Sequence, residues 1–463
     1  MILAGKTFLY KWRATSYGSY YYHGHTRRQQ VDGVYGATRI LPTDTIENPF
    51  AAISDDQGKV QAMENAEANS TPIMLSDKAE KASGRDALCA SALLLNGKGS
   101  VNCLGPDTIE RYTTTPMKGI LGNQSLTDIG EASLTISAPF LPTLFSGCRP
   151  SQGLAERLYA DATETYVSYN LISAAFISTV TFSIDERPMY VYAEYVEPIL
   201  VDAITVTNGV RYSVLVKLDK PAGDYTIRVA NTGVNLILQG TALLTYHNGG
   251  EPQKPSVPSI DLVGTLTSPE YTLLNESTIV PFKPHNVAQV KVAETHILKL
   301  ERFPLALEDA SPLLFYPKTG RENLTVSHQN GTWIDIVFDV ANAVQAPNPI
   351  HKHSNKFFVL GRGEGRWNYS SVAEAVQHMP ESFNFETPQI RDTFATTAAS
   401  MGPTWLAIRY HVTNPGAFLL HCHIQVHQCR EMVVALLGGI DEWPELPEEY
   451  QLEESELEKR TRY

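Results

Sequence analysis

Long apolar runs are missing from this 463-residue chain. No stretch approaches the roughly 18 uninterrupted apolar residues of a membrane-spanning helix, so such a span is excluded. Cysteine is scarce: five in the whole chain are too few for a disulfide-built scaffold. Positive charge is in deficit, with 37 Lys and Arg against 50 Asp and Glu and a formal charge of −13. A surface that acidic argues against nucleic acid or an anionic membrane as the main partner. The start, MILAGKTFLYKWRATSYG, lacks the basic end, apolar centre and cleavage site of a secretory signal. Helical periodicity is also rare, with Ser371 to His378 as the one short helix expected.

What is present is β texture. Hydrophobic residues make up 43% of the chain, enough to bury a large core, and the length suggests two to four domains. Short runs dense in Val, Ile, Thr, Tyr and Phe are broken by Gly, Pro, Asn and Asp. Strands are expected at Thr179 to Ile184, Val191 to Tyr195, Trp333 to Val340 and Trp405 to Val412. Ile204 to Val216 reads as a hairpin turning at Asn208-Gly209. The pattern is that of β-sandwiches. The composition shifts divide the chain into 1–60, 61–246, a Pro- and Gly-rich linker at 247–268, and 269–463 with an acidic tail.

Six Asn-x-Ser/Thr sequons, at Asn69, Asn123, Asn275, Asn323, Asn330 and Asn368, are glycosylation candidates and point to an export lineage. Among Cys89, Cys103 and Cys148 a disulfide is expected, with the pairing open. Cys429 reads as a small buried residue.

The 13 histidines carry the chemistry. Three His-x-His pairs occur, at His23/His25, His351/His353 and His421/His423, whereas random placement would give about 0.4. On a strand, residues i and i+2 share a face, so each pair presents two imidazoles to one point. Imidazole binds copper, zinc, iron and nickel. The run HCHIQVHQCREM at 421–432 narrows the choice. Cys422 lies between two histidines and faces the opposite side of the strand. With His427 and Met432 it supplies most of a blue-copper site, which takes two His, one thiolate and a weak axial Met. His247, His285, His296, His328, His378 and His411 have no partner spacing and read as surface or structural.

These motifs, with NPIHKHSNKFFVLGRG at 348–363, YYHGHTRRQQVDGVYG at 21–36 and LLLNGKGSVNC at 93–103, resemble the multicopper oxidases. Within that family the chain is similar to fungal laccase-like enzymes of pigment and polyketide pathways. The resemblance implies an all-β fold of consecutive cupredoxin-like Greek-key sandwiches, the first incomplete. It implies four copper ions, a type 1 site and a cluster of one type 2 and two type 3 ions. Phenolic or polyketide aromatic substrates would be oxidised one electron at a time, and dioxygen reduced to water. By motif position, Cys422, His427 and Met432 would bind type 1 copper. His421, His423, His353, His23 and His25 would bind the type 3 pair, and His351 the type 2 ion. Cys422, His421 and His423 would carry the electrons between the centres.

Two departures qualify the resemblance. The family's earliest motif, an H-x-H-G run, should precede His23, but none of the 22 residues before it is His. One type 2 and one type 3 ligand are thus expected to be missing, as in a chain without its natural beginning. The second type 1 histidine is replaced by Asn348, and an amide oxygen is a poor copper ligand beside imidazole. The rival expectation is therefore a catalytically impaired homologue that acts as a binding or auxiliary protein. A ferroxidase is a third reading and would need acidic residues beside the type 1 pocket.

Overall fold

The computed structural model describes residues 7–25, 29–79, 90–115, 150–161, 163–193, 195–233, 237–246, 257–301, 314–317, 325–341, 345–399, 401–428 and 432–445. Asn123, Asn323, His247, Cys89, Cys148 and Cys429 lie outside them, as do residues 247–256 of the expected linker.

Five sheets account for the strands among the described residues. A hairpin at the start pairs Gly18–His23 antiparallel with Tyr35–Ile40. The first sandwich has a six-stranded sheet in the order Ala90–Leu95, Thr71–Ala79, Tyr166–Ser173, Arg211–Lys217, Met189–Val191, Ile199–Val201. Its partner sheet runs Ala203–Val206, Val180–Ile184, Gly223–Asn231, Gln239–Tyr246, Glu156–Tyr159. One apolar cluster fills the space between them, with Ile73, Leu171 and Val214 from one sheet meeting Phe182, Ile227 and Leu244 from the other. The second sandwich sets Leu314–Pro317, Val292–Glu301, Trp333–Val340, Thr404–His411, Phe357–Glu364 and Gln389–Arg391 over Thr325–His328, Val433–Gly438, Gly416–Cys422, Pro349–Lys352 and Thr393–Ala395. Its core includes Phe338, Ile408, Leu420, Cys422 and Met432.

Alternation builds these layers where one face is wet. Gly223–Asn231 alternates buried and half-buried residues over its first six positions. Tyr166–Ser173 is buried at every position. Its second face is covered by the helix Gln57–Ala68, whose Met63 packs with Phe50, Tyr166 and Leu215. That helix starts where the Asp56 carboxylate accepts the Gly58 and Lys59 N–H groups. Sequence patterning misses it because only Met63 among its residues is fully buried. The expected helix is found at Val372–His378, capped by Ser371 Oγ, which accepts the Glu374 N–H at 3.1 Å.

Two expectations are corrected. Ile204 to Val216 is not a hairpin: Ala203–Val206 pairs with Val180–Ile184, whereas Arg211–Lys217 pairs with Tyr166–Ser173 in the opposite sheet. The Asn208-Gly209 turn carries the chain across the sandwich, because both flanking runs are apolar and each belongs to a different wall of the core. The strand expected from Val191 ends there. Tyr195 N–H donates to the Tyr192 carbonyl at 2.9 Å, and Tyr195 adopts φ 57°, which turns the chain out of the sheet.

Of the described sequon asparagines, Asn69, Asn275 and Asn368 are exposed and Asn330 is half-buried. Cys103 is disulfide-bonded, and its partner lies outside the described residues.

Candidate metal centre

The starting hairpin and the second sandwich bring six histidines together. His23 ends the strand Gly18–His23 and His25 follows it two residues on. His351 lies on Pro349–Lys352, which pairs with Gly416–Cys422 in a register that places His351 opposite His421. His25 Nε2 lies 3.1 Å from His353 Nε2, which lies 3.2 Å from His421 Nε2. The His23 ring stacks on His25 with centroids 4.3 Å apart and stands 4.9 Å from His423. The His351 centroid lies 5.4 Å from His421 and 5.5 Å from His423.

The second nitrogens of three rings are held by the frame. His421 Nδ1 is 2.9 Å from the Cys422 carbonyl. His351 Nδ1 is 3.0 Å from the Asp392 carbonyl and 2.9 Å from Thr393 Oγ1. His23 Nδ1 is 3.3 Å from the Gly24 carbonyl. Such contacts leave Nε2 facing inward and fix the ring orientation. Burial, followed by the neighbouring histidines, keeps the rings uncharged. It pushes His23 down to about 3 and His353 to about 2, and holds His421 and His423 well below the ordinary value. Burial also lowers His351 to about 4, with Asp392 opposing it. Neutral imidazole is the form that binds metal.

Cys422 faces the other way, into the core of the second sandwich. Its Sγ lies 3.4 Å from His427 Nδ1. Burial pushes the Cys422 thiol up to about 12. Met432, fully buried, joins the same turn: its N–H donates to the His427 carbonyl, and its carbonyl accepts the Cys422 N–H, both at 3.1 Å. Asn348 completes the pocket, with Oδ1 3.1 Å from His427 Nδ1 and 3.9 Å from Cys422 Sγ.

Family models described as multicopper oxidase match residues 1–45, 67–250 and 309–441. A laccase of Aspergillus fumigatus, abr2, is 38% identical over 96% of this chain and 82% of its own length. The chain belongs to the multicopper oxidase family. The multicopper oxidase GIP1 of Gibberella zeae is 34% identical over 96% of the chain and 72% of its own length. Among solved structures, the laccase from Botrytis aclada shares the fold with a TM-score of 0.62 at 20% identity, over 94% of this chain and 73% of that one.

As a multicopper oxidase the chain binds copper, and the histidine cluster fits it. Two nitrogens on one ion at about 2.0 Å and a tetrahedral angle lie about 3.3 Å apart. The His25–His353 and His353–His421 spacings match that geometry. The Cys422 pocket fits a full blue-copper site less well, because it offers one thiolate, one imidazole and an amide oxygen with the buried methionine.

Several residues escaped the sequence reading. Arg211 bridges the two sandwiches: its guanidinium donates to Asp392 at 2.5 and 2.8 Å and to the Ser19 carbonyl at 2.8 Å. Asp392 in turn supports His351 through its carbonyl. Tyr21 shares a face with His23, and its hydroxyl lies 2.7 Å from His423 Nε2. Gly209 leaves room for the His423 ring. The Tyr21 signal was available, since Tyr21 and His23 are two apart on one strand.

Proposed function

We propose that this multicopper oxidase is laccase-like: it oxidises phenolic or polyketide aromatics by single electrons and reduces dioxygen to water. His421, His423, His353, His23 and His25 would hold the type 3 pair, and His351 the type 2 ion. Cys422, His427 and Met432 would hold type 1 copper, with Asn348 beside them. The observation that carries the reading is the single strand Gly416–Cys422 and its extension, with His421 and His423 on one side and Cys422 on the other.

Bound copper supplies the one-electron redox chemistry in both places. The chain's own part is positional. The peptide bonds on either side of Cys422 join the two pockets covalently, so electrons need no jump through space. The Asp392 carbonyl, Thr393 Oγ1 and the Cys422 carbonyl hold imidazoles in one orientation. Burial keeps those imidazoles neutral. Coupling of the released radicals would occur outside the pocket, as in pigment or dimer formation. The sandwiches are read as units at 61–246 and 269–463, joined by 247–268, with 1–60 as part of a further unit. The sequons and the Cys103 disulfide support an export lineage, since disulfides persist in oxidising compartments.

Asn348 favours a second reading, an impaired homologue with a binding or auxiliary role. An oxygen electrode separates the two. The copper-loaded chain should consume dioxygen with 2,6-dimethoxyphenol. No uptake with any phenol tried, together with uptake in Asn348→His, would favour the impaired homologue. No uptake in either would sink the laccase reading.

A further inference from the structure

We propose that Glu294, His296 and His328 form a second metal site, separate from the copper centres, that takes a divalent transition metal such as Zn2+ and ties the two sheets of the second sandwich together.

His296 and Glu294 are two residues apart on the strand Val292–Glu301 and therefore share a face. His328 ends the edge strand Thr325–His328 of the opposite sheet. Their ligand atoms lie within 4.8 Å of one another. His296 Nε2 is 3.2 Å from a Glu294 carboxylate oxygen, and the His296 and His328 rings have centroids 5.0 Å apart.

His328 is 7% exposed, yet neither ring nitrogen has a hydrogen-bond partner among the described residues. Leaving a buried polar group unpaired is costly, and native proteins rarely do it without a partner such as water or an ion. Tyr410 repeats the pattern beside it: its ring lies 6.1 Å from His328, and its buried hydroxyl has no partner either. The pocket thus holds more polar capacity than the described residues satisfy. Burial keeps both imidazoles in the neutral, metal-binding form. Glu294 is exposed and gives the ion a path from solvent.

Two imidazoles and a carboxylate suit zinc, copper, nickel or iron rather than calcium or magnesium, which take oxygen ligands. The role follows from the topology. Thr325–His328 is a short edge strand held in its sheet by parallel pairing with Val433–Gly438. An ion shared with Val292–Glu301 adds a cross-link between the sheets at that edge. None of the three residues belongs to the copper motifs, so this site stands or falls independently of the laccase reading.

The test uses crystals of the full chain soaked in Zn2+, with anomalous diffraction collected on both sides of the zinc edge. A zinc peak between His296, His328 and Glu294, with ligand distances of about 2.0–2.2 Å, is expected. No peak there, with His328 ordered, would overturn the proposal. In solution, Glu294→Gln keeps the core intact because Glu294 is exposed. It should bind one zinc at least about tenfold more weakly and lose the rise in Tm that zinc gives the wild type. Both forms are loaded with copper before zinc is added, so that the His25, His353 and His421 cluster is already filled and does not add to the zinc response. An unchanged zinc response in Glu294→Gln and in His296→Gln would likewise overturn the site.

Discussion

Asn348 Oδ1 stands 3.1 Å from His427 Nδ1, and 3.9 Å from Cys422 Sγ, inside a pocket closed by Met432. The amide occupies the place where a second imidazole would complete two His and one Cys. Asn348→His is therefore expected to strengthen the visible band of the blue-copper site and to raise the fraction of chains that retain copper there. The larger ring must fit a position only 1% exposed, so a stability cost of about 1–3 kcal/mol is expected alongside. Absorbance and metal analysis on the same sample check both. A wild-type chain that is already as blue as the variant would show that the amide is no obstacle.

Gly209 should be intolerant of a methyl group. A Cβ there would lie 2.4 Å from the His423 ring, on a backbone at φ +79° that side chains rarely adopt. Gly209→Ala is expected to cost about 1–3 kcal/mol in chemical denaturation and to lower copper retention by displacing His423. Gly97→Ala is the control. It has a similar φ of +77° but nothing within 4 Å of the added carbon, so it should show the backbone cost alone and keep its copper.

The Arg211–Asp392 pair joins the two sandwiches, with side chains 9% and 12% exposed. Burial alone would raise the Asp392 pKa, but the Arg211 guanidinium overrides it and holds the carboxyl well below the usual range. Removing the arginine leaves a buried charge with its main partner gone. Arg211→Met is expected to destabilise the chain by about 3–5 kcal/mol. Adding Asp392→Asn should recover part of that loss, giving a coupling energy above about 1 kcal/mol in a double-mutant cycle. Purely additive losses would mean that the pair does not act as a unit.

The clustered histidines were legible because strand periodicity is local: a two-residue spacing fixes a shared face whatever the rest of the fold does. The same logic placed Cys422 opposite His421 and His423. What stayed hidden depends on distance along the chain. Asn208-Gly209 carries a true turn signal, but a turn does not reveal which sheet receives the next strand. His296 and His328 meet across a sandwich, and no spacing between them announces it. Arg211 and Asp392 are 181 residues apart. The helix Gln57–Ala68 fully buries only Met63 and so shows no apolar stripe, and periodicity passed over it.

Tyr21 gives a prediction whose two halves have opposite signs. Its hydroxyl, 2.7 Å from His423 Nε2, satisfies that nitrogen in the metal-free chain. Burial drives the phenol pKa far above its ordinary value, so the hydroxyl stays protonated and donates to an imidazole that burial keeps neutral. A copper ion bound through the same nitrogen must displace this hydrogen bond. Tyr21→Phe keeps the ring that stacks on His23, 5.0 Å away, and removes only the donor. The metal-free variant should therefore be less stable by about 1 kcal/mol. Copper, no longer competing with the phenol, should bind His423 more tightly by the same free energy, about fivefold. Denaturation of the chelator-treated chain reads the first half, and competition against a copper chelator reads the second. Weaker copper binding in Tyr21→Phe would reverse the assignment and make the phenol a support of the bound metal rather than its competitor.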